Sequence, residues 1–218
     1  MIELMTEYPG CSIYGGPPFR FDGKNTYSFV TPIANLAYGW SGVLDNYFDY
    51  FKEAIPYSSS SVVILKKSLI EIGGFPEDIR YMEDADAWAR MGLSYDAAYL
   101  NIPLSIYHKE AENRTVHNNS ELLKVINKWQ LLVTNGKIPE KYAGSFYEFL
   151  VRYRIMAIRQ YINQGDYKKA RGMLGQILDS KVYHDQVLRL KNEVFSPPIL
   201  TKTYNLTKKI LSKVKNIF

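Results

Sequence analysis

Glu83, Asp84 and Asp86 crowd the start of a segment whose apolar residues, Ala87, Trp88, Met91 and Leu93, fall at helical spacing. A carboxylate within hydrogen-bond reach of a hydroxyl is able to take its proton. One at a helix start also meets orphan backbone N–H groups that hold its orientation. The same physics favours acids in first turns generally, so plain helix caps account for these residues too. Gly73 and Gly74 stand about ten residues ahead of the acids. Their freedom of φ suits a backbone that approaches a ligand closely, or simply a helix stop. Trp88 and Arg90 follow on the same helical segment, Trp88 as core or as a platform for a ligand.

The elements that must position these residues read as mixed α/β over residues 1–117. MIELMTEY has the look of the last turns of a helix closed by Pro9 and Gly10, an uncapped opening that suggests residue 1 is not the start of a domain. CSIYGG and RFDG are short extended pieces around Gly15, Gly16, Pro17 and Pro18. Residues 36–53 are aromatic-rich and give no clean period. SVVIL at 61–65 predicts a short buried strand. KKSLIEI then forms a short helix, and AAYLNIPLSIYH two strands hinged at Pro103.

Residues 118–195 change character. Leu122, Leu123, Ile126, Trp129 and Val133 mark one helix face, ended by Asn135-Gly136, and Pro139 is placed to begin a second helix. Tyr142 to Met156 carry that long helix to about Gln164. Gly165 and Asp166 predict a stop and an N-cap for a third, with Tyr167, Ala170, Met173 and Ile177. The Gly165 to Ala170 turn resembles that of a tetratricopeptide hairpin, but one hairpin is not an array, and a structural appendage is the expectation. After Ser196-Pro197-Pro198, residues 196–218 form a basic tail. Leu206, Ile210, Val214 and Ile217 share one helical face there, a pattern that suits either contact with a membrane surface or docking on the domain.

Composition narrows the classes. Hydrophobic residues at 46% and charged residues at 22% fit an ordinary globular protein. No run of apolar residues is long enough to span a bilayer, and no basic leader opens the chain. Cys11 is the lone cysteine, which excludes a disulfide within the chain, makes Cys-type zinc clusters unexpected, and sets a cytoplasmic compartment as the default. The net charge of +5 comes largely from the tail, so nucleic acid is not an expected partner. Tyrosine numbers 18, which suits amphipathic packing with hydroxyls at the edge, or a groove for a sugar.

Taken in order, residues 58–92 resemble the second half of the catalytic domain of family-2 inverting glycosyltransferases of GT-A fold. The elements are the small-residue strand Ser60 to Leu65, the helix Lys66 to Ile72, Gly73-Gly74-Phe75, the acidic loop Pro76 to Asp78, Glu83-Asp84, Trp88 and Arg90. The resemblance covers about residues 1–117 and implies a partial GT-A mixed sheet followed by an all-α region. It makes Asp84 the general base that takes the acceptor hydroxyl's proton. Glu83, Gly73, Gly74, Trp88 and Arg90 fall on the acceptor side. Asp84-Ala85-Asp86 copies the Asp-x-Asp that holds the donor's metal in this superfamily. That pattern closes a buried apolar strand, whereas Ile79-Arg80-Tyr81-Met82 precedes it here. His108, beside Tyr107, occupies the place of a segment that reaches the donor phosphates or metal, without its usual basic residue. His117 is a second candidate, and His184, deep in the helical appendage, is expected to be neither.

The resemblance implies a nucleotide-sugar donor and a glycan or lipid-linked acceptor. It also implies a divalent metal, Mn or Mg, for a complete enzyme, with none expected on this chain. The family's nucleotide-binding half is not legible in residues 1–218, so the expectation is an isolated chain that does not transfer sugar and that self-associates through an uncovered edge. The alternative is a non-catalytic binding or scaffold module derived from such an enzyme. A helical-repeat adaptor is the remote third reading.

Overall fold

A computed structural model describes residues 1–21, 23–24, 26–28, 33, 36–51, 56–103, 105–108 and 119–195. Two compact units divide the chain, residues 1–153 and 154–218.

The first unit opens with helix α1, Ile2–Glu7, which buries Leu4 against Cys11, Tyr14 and Ala98. The Tyr14 hydroxyl donates to the carbonyls of Tyr8 (2.9 Å) and Cys11 (2.6 Å), tying the turn after the helix to the first strand. That strand, β1 (Ile13–Gly15), is buried along its length. β2 (Pro18–Phe21), β3 (Thr26–Ser28), β4 (Ser41–Val43) and β5 (Val62–Ile64) follow. Helices α2 (Lys66–Glu71) and α3 (Glu83–Ser94) precede β6 (Ala97–Leu100) and β7 (Ser105–His108).

These strands form a four-stranded mixed sheet in the order β4-β6-β1-β5 and a three-stranded sheet in the order β3-β2-β7. β1 runs parallel to β6, and both of the outer pairs are antiparallel. A parallel neighbour needs a crossover, and the chain between β1 and β6 provides it with α2 and α3 on the way. The mixed α/β expectation therefore holds. SVVIL differs from its expected burial: among the described residues β5 pairs only with β1, and Val63 is exposed. A short β-branched run suits an edge strand as well as a central one, and its composition alone does not separate them.

Residues 36–51 lack a period because aromatic packing fixes them. Besides β4 they form one 3-10 turn, Asp49–Phe51. Phe48 meets Phe146 at 4.9 Å, Phe149 at 5.4 Å and Tyr142 at 5.5 Å, and Trp129 meets Phe149 at 4.7 Å and Tyr153 at 4.8 Å. Helix α4 (Asn119–Thr134) and the first part of α5 (Ala143–Asn163) supply those partners. The first compact unit thus reaches Tyr153, past the expected limit at residue 117. Edge-to-face rings at these separations add stabilisation beyond their buried area. Tyr47 and Tyr57 are also buried, and the Tyr57 hydroxyl donates to that of Tyr47 at 2.8 Å. Gly15 packs against Tyr57 and Gly92 against Tyr47, so closely that a Cβ on either glycine would strike the neighbouring tyrosine.

Between α4 and α5, Gly136 takes φ 63° as a left-handed stop. Pro139 leads into a 3-10 turn, Glu140–Tyr142, and not directly into α5. In the second unit Gly165 is left-handed at φ 77°, and the Asp166 carboxylate accepts from the Lys169 N–H at 3.1 Å, the expected N-cap of α6 (Tyr167–Leu174). α6 stops before Ile177, which is buried in the loop beyond; Gly172 and Gly175, poor helix formers, lie around its end. α6 packs with α7, His184–Phe195. The basic tail, 196–218, lies outside the described residues. Among those residues no helix is long and apolar enough to cross a membrane.

Candidate functional site

The start of α3 is the focus. Met82, its N-cap, is the one non-glycine residue among the described residues with positive φ (68°, ψ 21°), and no side chain caps the helix there. A left-handed conformation in a residue with a Cβ is disfavoured by roughly 1–2 kcal/mol. It turns the chain so that Glu83 and Asp84 are the first two residues of the helix. There the unpaired N–H groups and the positive end of the helix dipole favour carboxylates.

The acids then take different surroundings. Positions two apart on a helix point about 200° from one another. Asp86 turns inward and is buried. Its Oδ2 accepts from Arg90 Nε at 2.9 Å and its Oδ1 from the Trp129 indole N–H at 3.1 Å. Asp84 remains half-buried. Its Oδ1 accepts from the Ala85 N–H at 2.7 Å and its Oδ2 from the Ser59 hydroxyl at 2.5 Å. Glu83 is half-buried at the first helical position.

Ser59 belongs to a turn of serines. The Ser58 N–H donates to Ser61 Oγ at 2.8 Å, and the hydroxyls of Ser58 and Ser60 share a hydrogen bond of 2.9 Å. The Asp84 charge is felt by two phenols. Burial pushes the Tyr81 hydroxyl's pKa up, and the nearby Asp84 and Tyr107 add to the shift. The fully buried Tyr47 is pushed up further by burial, by Tyr57 and Tyr153, and last by Asp84. Asp84 therefore sits with the serine turn, with Tyr81 and the buried Tyr47 within its electrostatic reach.

Gly73 (φ 88°) and Gly74 (φ 69°) form a helix stop. The Gly74 N–H donates to Leu69 O at 2.8 Å and the Gly73 N–H to Ile70 O at 2.9 Å, the two bonds of a Schellman motif closing α2. Arg90 locks that turn to α3. Its Nη1 donates to Ile72 O at 2.5 Å and its Nη2 to Gly74 O at 2.7 Å, while Nε and Nη2 both hold Asp86. Most of its donors are thereby committed inside the fold, which makes it a brace between two elements. Trp88 is buried, its ring edge-on to the exposed Phe75 at 5.7 Å. Its indole N–H has no partner among the described residues.

His108 is exposed at the end of β7, with its ring edge-on to Phe21 at 5.5 Å. His184 opens α7 in the second unit and is exposed. His117 lies outside the described residues. Among these residues no three or more His, Cys, Asp or Glu side chains gather as a metal site. The Asp-x-Asp pair diverges, and Asp86 is neutralised by Arg90. Among the described residues, these two carboxylates do not converge on one point as ligands of a divalent cation would.

Sequence reasoning misses Ser59, Tyr81 and Met82. The run of four serines at 58–61 is the one signal that could have pointed to the first; nothing local marks the left-handed turn at Met82. No family model matches the chain, and no curated protein matches it.

Proposed function

We propose that this chain forms the acceptor side of an inverting glycosyltransferase similar to family 2, with a partial GT-A fold and Asp84 as its general base. The observation that carries the reading is the contrast within one helical turn. Asp86 is buried and paired, whereas Asp84 is half-buried at the helix start, each oxygen holding a single hydrogen bond among the described residues. Each carboxylate oxygen accepts more than one such bond, so a lone pair stays available for an acceptor hydroxyl.

In the transfer the acceptor oxygen attacks the sugar's anomeric carbon from the face opposite the nucleotide. The C–O bond to the nucleotide diphosphate breaks, and the hydroxyl proton passes to Asp84. A hydroxyl held within about 3 Å of Asp84 satisfies the geometry of a general base. The mixed sheet and the Gly73-Gly74 turn braced by Arg90 agree with the order of elements that suggested the family. Donor binding is assigned to a nucleotide-binding half outside these residues, and no step is routed through a metal held by this chain.

The test is stereochemical. A polypeptide carrying both halves is incubated with a panel of nucleotide sugars and saccharide acceptors, and the anomeric configuration of the product is read by proton NMR. Inverted product is expected. Retention of configuration, or no transfer from any donor by the paired halves, contradicts the reading.

A further inference from the structure

Asp84 and Ser59 are 25 residues apart and come from different elements, yet the Ser59 hydroxyl reaches Asp84 Oδ2 at 2.5 Å. The other oxygen is held by the helix itself, through the Ala85 N–H at 2.7 Å. One contact from the first helical turn and one from a separate loop fix a planar carboxylate in two directions. The loop is itself cross-braced by hydroxyl and amide bonds among Ser58, Ser60 and Ser61, so Ser59 is presented by an ordered turn. From the other side the left-handed Met82 sets the direction in which α3 begins. Backbone strain of this kind persists where the surroundings over-determine it and gathers at functional sites.

We infer that Ser59 is the positioning residue of Asp84, an assignment that rests on the glycosyl-transfer reading. Its hydroxyl donates to one carboxylate oxygen and holds the side chain in one rotamer, with the remaining lone pairs turned to the incoming acceptor hydroxyl. It touches neither sugar in the reaction; it acts through Asp84 alone. Loss of such orientation costs about 10- to 100-fold in rate without a change in donor binding.

The test has two arms. In the 218-residue chain, three-bond couplings to the Asp84 Cγ report its χ1 rotamer by NMR. One rotamer is expected in the wild type, averaging in Ser59→Ala, and a single rotamer again in Ser59→Thr, which keeps the hydroxyl. An Asp84 rotamer unchanged in Ser59→Ala overturns the positioning role, whether or not the protein transfers sugar. In the polypeptide with both halves, Ser59→Ala is expected to lower kcat about 10- to 100-fold with donor KM unchanged, and Ser59→Thr to restore it. A Ser59→Ala loss that appears in KM alone also overturns the role. If the rotamer responds as expected but Asp84→Asn turns over normally, the contact is real and the glycosyl-transfer reading is what fails.

Discussion

Two carboxylates on one helical turn meet opposite surroundings. Asp86 is sealed among Arg90, Trp129 and the core and belongs to the architecture. Asp84 is held by a serine turn and a backbone N–H and keeps acceptor capacity in reserve. The difference teaches that an acidic cluster at a helix start is not one site. Position around the helix separates the buried, paired carboxylate from the half-buried one that keeps acceptor capacity.

The sharpest way to break that comparison is to measure stability. Asp86→Ala takes the counter-charge from the half-buried Arg90 guanidinium and the acceptor from the buried Trp129 indole N–H, and denaturant unfolding should show a loss of about 2–4 kcal/mol. Asp84→Asn keeps the size and the first-turn position, and its loss should stay below about 1 kcal/mol. Equal losses for the two would mean that Asp84 is structural as well.

Gly73→Ala is expected to sit between them. A Cβ there meets open space, yet φ is 88°, so the loss should be about 1–2 kcal/mol from backbone strain alone. Met82→Gly should move stability the other way, by up to about 1 kcal/mol, because glycine accepts the left-handed turn at no steric cost. A Met82→Gly variant less stable than wild type would show that the side chain's packing outweighs its strain.

The smallest effect concerns pH. The Lys124 ammonium, followed by the Arg80 N–H, holds the Glu121 carboxyl below its ordinary range. A folded-state value lowered in this way contributes stability that is present above the ordinary carboxylate value and is lost as pH falls through the lowered one. Glu121→Gln should therefore lower stability slightly at neutral pH and leave the most acidic range little changed, flattening the acid side of the curve, as checked by thermal unfolding from neutral to acidic pH.

What the sequence makes legible is local. Gly136, Gly165 and Asp166 mark helix ends by their own conformational preferences, and the structure uses each of them in that way. The short elements from α2 to β7 follow from apolar spacing and glycine breaks. Contacts between distant residues leave no local trace. Trp129 reaches Asp86 across 43 residues, Arg90 reaches Gly74 across 16, and Ser59 reaches Asp84 across 25. Those are the contacts that sort the candidate residues, placing Asp86 and Arg90 in the framework and leaving Asp84 half-buried. The extent of the first unit is hidden for the same reason. Phe48 and Phe149 meet in space, while the change to helical periodicity near residue 118 suggests a boundary.

The central claim is that Asp84 removes a proton from an acceptor hydroxyl. Its most direct test is single-turnover transfer by the polypeptide with both halves, comparing wild type with Asp84→Asn at saturating donor and acceptor. The account predicts a rate about 100- to 10,000-fold lower in the variant, with donor affinity unchanged. A variant that transfers sugar at the wild-type rate would contradict it.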